Sequence, residues 1–284
     1  MNPTMRLGTA LLLILAWAGT GSAGEILYAR SDGAFMARDN PAMYTALNVL
    51  DGDKTTVWCS AGTGQNAEIE IVFSERTIID RVDIATGNQI GSDDFKAFGR
   101  VKEVQISAGD ERHKVRLADR QGLQTTEFDP AVNHERLVLR MTGGYRGKSQ
   151  RHVCISDVIF YQNKKPLQAK DMGRQIRSHA DALPYMDTWV AGPEDMREKE
   201  LIFGVSGTYR FVWVPSDPDL PTVRILGPWR LGAAGPEVKL DKKDKEWIPV
   251  KVKRDDAERV TRLKLETGQL QGVYDRRREN SHDW

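Results

Sequence analysis

The chain has 284 residues, of which 40% are hydrophobic and 29% charged, with 25 Gly and 12 Pro. That balance excludes collagen-like repetition and wholesale disorder, and the length allows two ordinary domains with cores of their own. Basic and acidic residues nearly cancel, 41 against 40, so sequence-independent nucleic-acid binding, which needs a clustered positive field, is not expected.

Residues 1–23 stand apart. Arg6 precedes an apolar run over 7–18, and Gly21, Ser22 and Ala23 supply small residues where cleavage would fall. This is the pattern of a secretory signal peptide, with cleavage expected after Ala23. Loss of Arg6 takes the basic residues to 40, equal to the 40 acidic ones. No other stretch approaches a membrane span, so no transmembrane segment is expected in the mature chain. The expected location is the periplasm or the extracellular space. In such an oxidising compartment Cys59 and Cys154 would more often bridge than stay free, the alternative being two buried, unpaired thiols. Without a Cys/His cluster a zinc site is not expected.

From residue 24 to 163 the chain reads as short strands joined by turns. Ile69, Ile71 and Phe73 alternate with Glu68 and Glu70, and Val82 and Ile84 alternate with Arg81 and Asp83. Val101 falls on the face of Glu103 and Gln105, opposite Val104 and Ile106. Further strands follow at Val115–Leu117, 137–141 and 153–161. Each such strand must bury one face against a second sheet, which predicts a β-sandwich. The glutamate face of the first strand reads as solvated.

Residues 164–184 read as a linker and a helix, with Met172, Ile176, His179 and Leu183 at helical spacing and Pro184 as the stop. Strand signals return over 185–274. Tyr209, Phe211 and Trp213 share a face opposite Arg210 and Val212, and Leu263 and Leu265 oppose Arg262 and Lys264. Gly192-Pro193-Glu194-Asp195 predicts a short helix start. A small antiparallel β-barrel or sheet is expected, followed by a frayed tail over 275–284 that carries Arg276, Arg277 and Arg278.

The string Leu50-Asp51-Gly52-Asp53-Lys54-Thr55-Thr56-Val57-Trp58 places two carboxylates and hydroxyls on a glycine turn, oxygen donors that suit Ca²⁺; the alternative is a plain turn with Trp58 as a core plug. The stretch resembles the discoidin (coagulation factor 5/8 C-type) superfamily. Residues 48–161 are similar to the bacterial glycan-binding discoidin domains first associated with streptococcal NAD glycohydrolase. The resemblance rests on an ordered set. After Asp51–Trp58 come Gly62-Thr63-Gly64, Ile84 to Asn88, and Phe95-Lys96-Ala97-Phe98-Gly99-Arg100. Leu117-Ala118-Asp119, Tyr145-Arg146-Gly147 and Cys154-Ile155-Ser156-Asp157-Val158 complete it. Asp157 stands where that family usually has Glu.

The resemblance implies an all-β, galactose-binding-like (discoidin) β-sandwich and a structural calcium among Asp51, Asp53, Thr56 and Asp157. Its sugar-facing loops vary, so ligand candidates come from chemistry: Asn88, Gln89, Arg100 and Arg146, with Trp58 more simply core. The second domain resembles small lipocalin-like barrels through Asp187-Thr188-Trp189, Gly207-Thr208-Tyr209 and Gly227-Pro228-Trp229. A barrel filled by its own side chains is the simpler reading.

No catalytic pattern stands out. Gly204-Val205-Ser206-Gly207 lacks the spacing of a nucleophile elbow, and none of the five histidines lies in a metal-binding pair pattern. The sequence therefore predicts a secreted, non-enzymatic binding protein for a glycan or cell-surface ligand. An envelope protein–protein adaptor and an unrecognised hydrolase are the competing readings.

Overall fold

The computed structural model describes residues 24–36, 42–168, 171–178, 180–192 and 199–277. The signal-peptide expectation for 1–23, His179, the helix start at Pro193 and the tail from Arg278 lie outside these residues.

The first body comprises strands β1 (Ile26–Ser31), β2 (Trp58–Cys59), β3 (Glu68–Thr86) and β4 (Gly99–Ala108). β5 (Glu111–Arg116), β6 (Gln124–Tyr145), β7 (Val153–Gln162) and β8 (Lys165–Pro166) complete it. β3 and β6 are long because each changes neighbours along its length within one continuous sheet. The first half of β3 pairs with β1 and the last part of β6, while its second half pairs with the start of β6 and with β7. Register shifts between Val72 and Thr77 and between Ile79 and Arg81 mark where β3 turns the corner. The result is a sandwich. Ile69, Ile71 and Phe73 from one half of β3 and Val82 and Ile84 from the other are fully buried in its core. Phe73 and Phe160 meet edge-on, ring centroids 5.9 Å apart.

The β4 alternation differs from expectation. Val101 and Val104 are both fully buried, three residues apart, because the pairing with β6 slips on either side of Glu103. A bulge at that point restores the inward face that strict period-two alternation would have lost.

The second body comprises β9 (Thr188–Ala191), β10 (Lys199–Phe203), β11 (Thr208–Trp213), β12 (Val223–Gly232) and β13 (Gly235–Val238). β14 (Ile248–Pro249), β15 (Lys251–Arg254), β16 (Val260–Leu265) and β17 (Gly272–Arg276) follow. They form one antiparallel sheet in the order β14-β13-β12-β11-β10-β9-β17-β16-β15. Its two ends are the sequence neighbours β14 and β15, separated by Val250, whose amide bonds to the Pro236 carbonyl. The sheet is thus a nearly closed barrel. Trp189, Leu201, Phe203, Tyr209, Phe211 and Tyr274 are all fully buried. The buried indole N–H groups are satisfied by carbonyls, Trp189 by Tyr185 and Trp229 by Gly204.

The segment between the bodies packs rather than links. α2 (Met172–Ser178) buries Met172 and Ile176. The bodies also meet directly, and here an expectation is overturned. Glu68 and Glu70, expected on a solvated face, are only 7% and 6% exposed because the barrel covers the outer face of that sheet. Two carboxylates can be buried there only because each finds arginines. Glu70 pairs with Arg30, Arg136 and Arg277. Arg136 continues to Glu200 of the barrel (2.8 Å), and Glu200 to Arg210 (2.8 Å). Burial opposes ionisation of Glu70, but Arg136, Arg30 and Arg277 overcome it and hold the carboxyl at about 2.

The tail reading is corrected in part. β17 runs through Arg276, and Arg277 is buried, its amide on the Thr188 carbonyl. The buried carboxylate of Glu70 is what draws a terminal arginine inward.

Candidate functional site

The loops before β7 and after β3, together with those at 42–56 and 117–123, gather at one end of the sandwich. α1 (Ser92–Ala97) is tied to the loop at 146–152 by three backbone bonds: Lys148 to Lys96, and Ser149 and Gln150 to the Ala97 carbonyl. Gly147 permits this contact, since a Cβ there would lie 2.4 Å from the carbonyl oxygens of Ala97 and Gln150. Beneath this end the disulfide Cys59–Cys154 joins β2 to β7, with a Cα separation of 4.1 Å. Phe35, Tyr44, Phe98 and His152 surround it, Phe35 lying 4.1 Å from the His152 ring and 5.1 Å from Tyr44.

The predicted ligand residues are mostly spent inside the protein. Arg100 forks onto Asp119 at 2.9 and 2.8 Å and donates to the Phe98 and Arg146 carbonyls, which leaves it 9% exposed. It is a clamp between loops, held inward by a carboxylate and two carbonyls. Asn88 is buried and accepts from the Ile90 amide. Gln89 bonds the Thr86 carbonyl and the Gly122 amide, stapling two loops. Arg146 is the exposed member of the set. Trp58 is fully buried in the core.

Three of the four predicted metal residues share one turn, and the fourth, Asp157, lies within electrostatic reach of it. Asp51 accepts from the Asp53 amide (2.9 Å) and the Thr56 hydroxyl (2.7 Å), a turn closed by its own side chains. Asp53 accepts from Thr55. Asp157, on the neighbouring strand, is 5% exposed, and its Oδ1 has no hydrogen-bond partner. Burial raises its carboxyl to about 6, with Asp51 and Asp53 adding to the rise and Lys54 and the Gly52 amide opposing it. Among the described residues no group of three or more His, Cys, Asp or Glu side chains is arranged to hold a metal ion. The orphaned Asp157 oxygen is one donor that would suit a cation, whose other ligands would have to come from backbone carbonyls or water rather than from a cluster of three carboxylates.

Beside this loop lies a groove of about 290 Å³. Its polar lining is Thr45, Asn48, Asp51, Thr55 and Thr56, of which Asn48 is buried and donates to the Met43 and Val57 carbonyls. Its apolar lining includes Tyr44, Val57 and Ile90, together with Ile176 of α2 and Leu183. Ile90 is 52% exposed. The sequence reading missed this wall because Ile176 and Leu183 read as core residues of a separate helix. Ile90, an apolar residue between Gln89 and Gly91 in a polar loop, was the available signal.

The fold and the loop end define a discoidin-like β-sandwich module followed by a barrel-like β domain. Residues 26–161 match the family model of the NAD glycohydrolase translocation F5/8 type C domain. No curated protein matches the chain. Solved structures similar to the first half include the family 32 carbohydrate-binding module of Clostridium perfringens NanJ in complex with galactose. It is 14% identical, with 48% of this chain and 93% of that one covered, at a TM-score of 0.36. The CBM32-1 and CBM32-2 domains of C. perfringens ZmpB, in complex with GalNAc, are 22% identical at a TM-score of 0.38. There the alignment covers 52% of this chain and 37% of that one.

Proposed function

We propose that this chain is an exported, non-catalytic protein that binds a neutral glycan at the loop end of its sandwich. The observation that carries the reading is the groove beside the Asp51–Thr56 loop, lined by the hydroxyls of Thr45, Thr55 and Thr56 and by Tyr44 and the exposed Ile90. A pyranose presents the matching pair of surfaces, a hydroxyl edge and an apolar face. The name of the matching family, which links such a domain to translocation, supports an attachment role over chemistry. Export is supported by the leader-like residues 1–23 and by a disulfide suited to an oxidising compartment. A structural calcium, held by Asp157 and Asp51 with backbone carbonyls, belongs to the same proposal.

Glycan-array screening followed by calorimetric titration of the best hit tests it. Ile90→Asp should weaken binding at least tenfold while leaving the melting temperature unchanged. An array without hits, equal affinity in Ile90→Asp, or release of sugar from the bound glycan would overturn the reading.

A further inference from the structure

A second cavity, of about 430 Å³, lies between the sandwich and the barrel. The outer face of the first sheet forms one wall and β11 and β12 contribute the other. Arg112, Arg136 and Arg140 enter from the sandwich, Arg224 and Arg277 from the barrel side. Four glutamates also line it, and each is already engaged. Glu70 holds Arg30, Arg136 and Arg277, and Glu200 holds Arg136 and Arg210. Glu135 holds Arg210 and Arg224, and Glu68 holds Arg140. Asp187 shares Arg30 and Arg276. Arg30, Arg210, Arg276 and Asp187 lie behind the walls; on the walls themselves five arginines face four glutamates, an excess of one positive charge.

Arg112 makes that excess available. It is exposed at the cavity wall and donates to the Gly109 and Asp110 carbonyls (3.3 and 3.0 Å); among the described residues it has no carboxylate partner. His134 and Ser107 add neutral polar groups nearby, while Val138, Val212 and Val214 supply an apolar wall. Guanidinium groups bind carboxylate and phosphate oxygens through paired hydrogen bonds, and do so best away from bulk water.

We infer that this interdomain cavity is a second binding site, for a small anion bearing a carboxylate or phosphate and one apolar face. The volume suits a molecule between a monosaccharide and a drug-sized ligand. Both bodies contribute arginines, so a bound anion would join them more firmly and raise the stability of the whole chain by mass action. The inference is independent of the glycan reading, since the two sites share no lining residue.

The test is calorimetric titration of the full chain with glucuronate and, separately, inorganic phosphate. Saturable one-site binding of either is expected, and which of the two binds identifies the carboxylate or the phosphoryl source. Arg112→Ala and Val214→Glu should each weaken it at least tenfold. Arg112→Ala removes only bonds to two carbonyls, and Val214 is 50% exposed, so both variants should fold. Ile90→Asp should retain full anion binding, which separates failure of this site from failure of the loop-end site. Absence of binding by both titrants, or affinity unchanged in both cavity variants, would overturn the inference.

Discussion

Arg136 Nη2 of the sandwich donates to Glu200 Oε2 of the barrel at 2.8 Å, while its Nη1 is bonded to Glu70. One guanidinium therefore neutralises two buried carboxylates in different bodies. Arg136→Ala should cost about 3–5 kcal/mol, because it strands charges that remain buried. Urea unfolding should show the loss and split a single transition into two as the bodies separate. A loss below about 1 kcal/mol would mean that water replaces the guanidinium.

The disulfide closes a loop whose ends are 95 residues apart. In the chain-entropy model a loop of that order contributes about 4–5 kcal/mol by restricting the unfolded chain. The double variant Cys59→Ala, Cys154→Ala should lose most of that in denaturant titration. Near-equal midpoints for the oxidised protein and the double variant would count against it.

Asp157 makes a pH prediction of definite sign. Its folded-state pKa, about 6, lies above its ordinary value of 3.8, so between these the native state binds more protons than the unfolded one. Stability from this group therefore falls as pH rises from about 4 to 6 and stays low above. In chelator, Asp157→Asn should match the wild type near pH 4 and exceed it at pH 7 by up to about 3 kcal/mol. Glu70 acts oppositely: its contribution is full above its ordinary value of 4.5 and is lost as pH falls towards 2. A difference between wild type and Asp157→Asn that does not vary with pH would refute the assignment.

Calcium provides the complementary measurement. If a cation sits between Asp51 and Asp157, millimolar calcium should raise the melting temperature at pH 7, and chelation should reverse the rise. Asp51→Ala should abolish the response. A wild-type melting curve indifferent to calcium would leave the loop as a turn held by its own side chains.

Much of this architecture was legible in the chain itself. Alternation of Ile69, Ile71 and Phe73 against Glu68 and Glu70, and of Tyr209 and Phe211 against Arg210, determined strands and their inward faces, because period-two burial is a local property. The Asp51–Trp58 loop was equally local, since Asp51 closes on residues two and five positions ahead. What covers the opposite faces was not local. Glu70 and Glu200 stand 130 positions apart, and only their meeting through Arg136 turns two polar faces into one buried interface. Arg100 likewise resembles an open donor until Asp119 and the Arg146 carbonyl arrive from other loops. A charged side chain declares its chemistry in the sequence, but its partner, and hence whether it faces a ligand or the protein, is decided by the long-range packing that removes it from water.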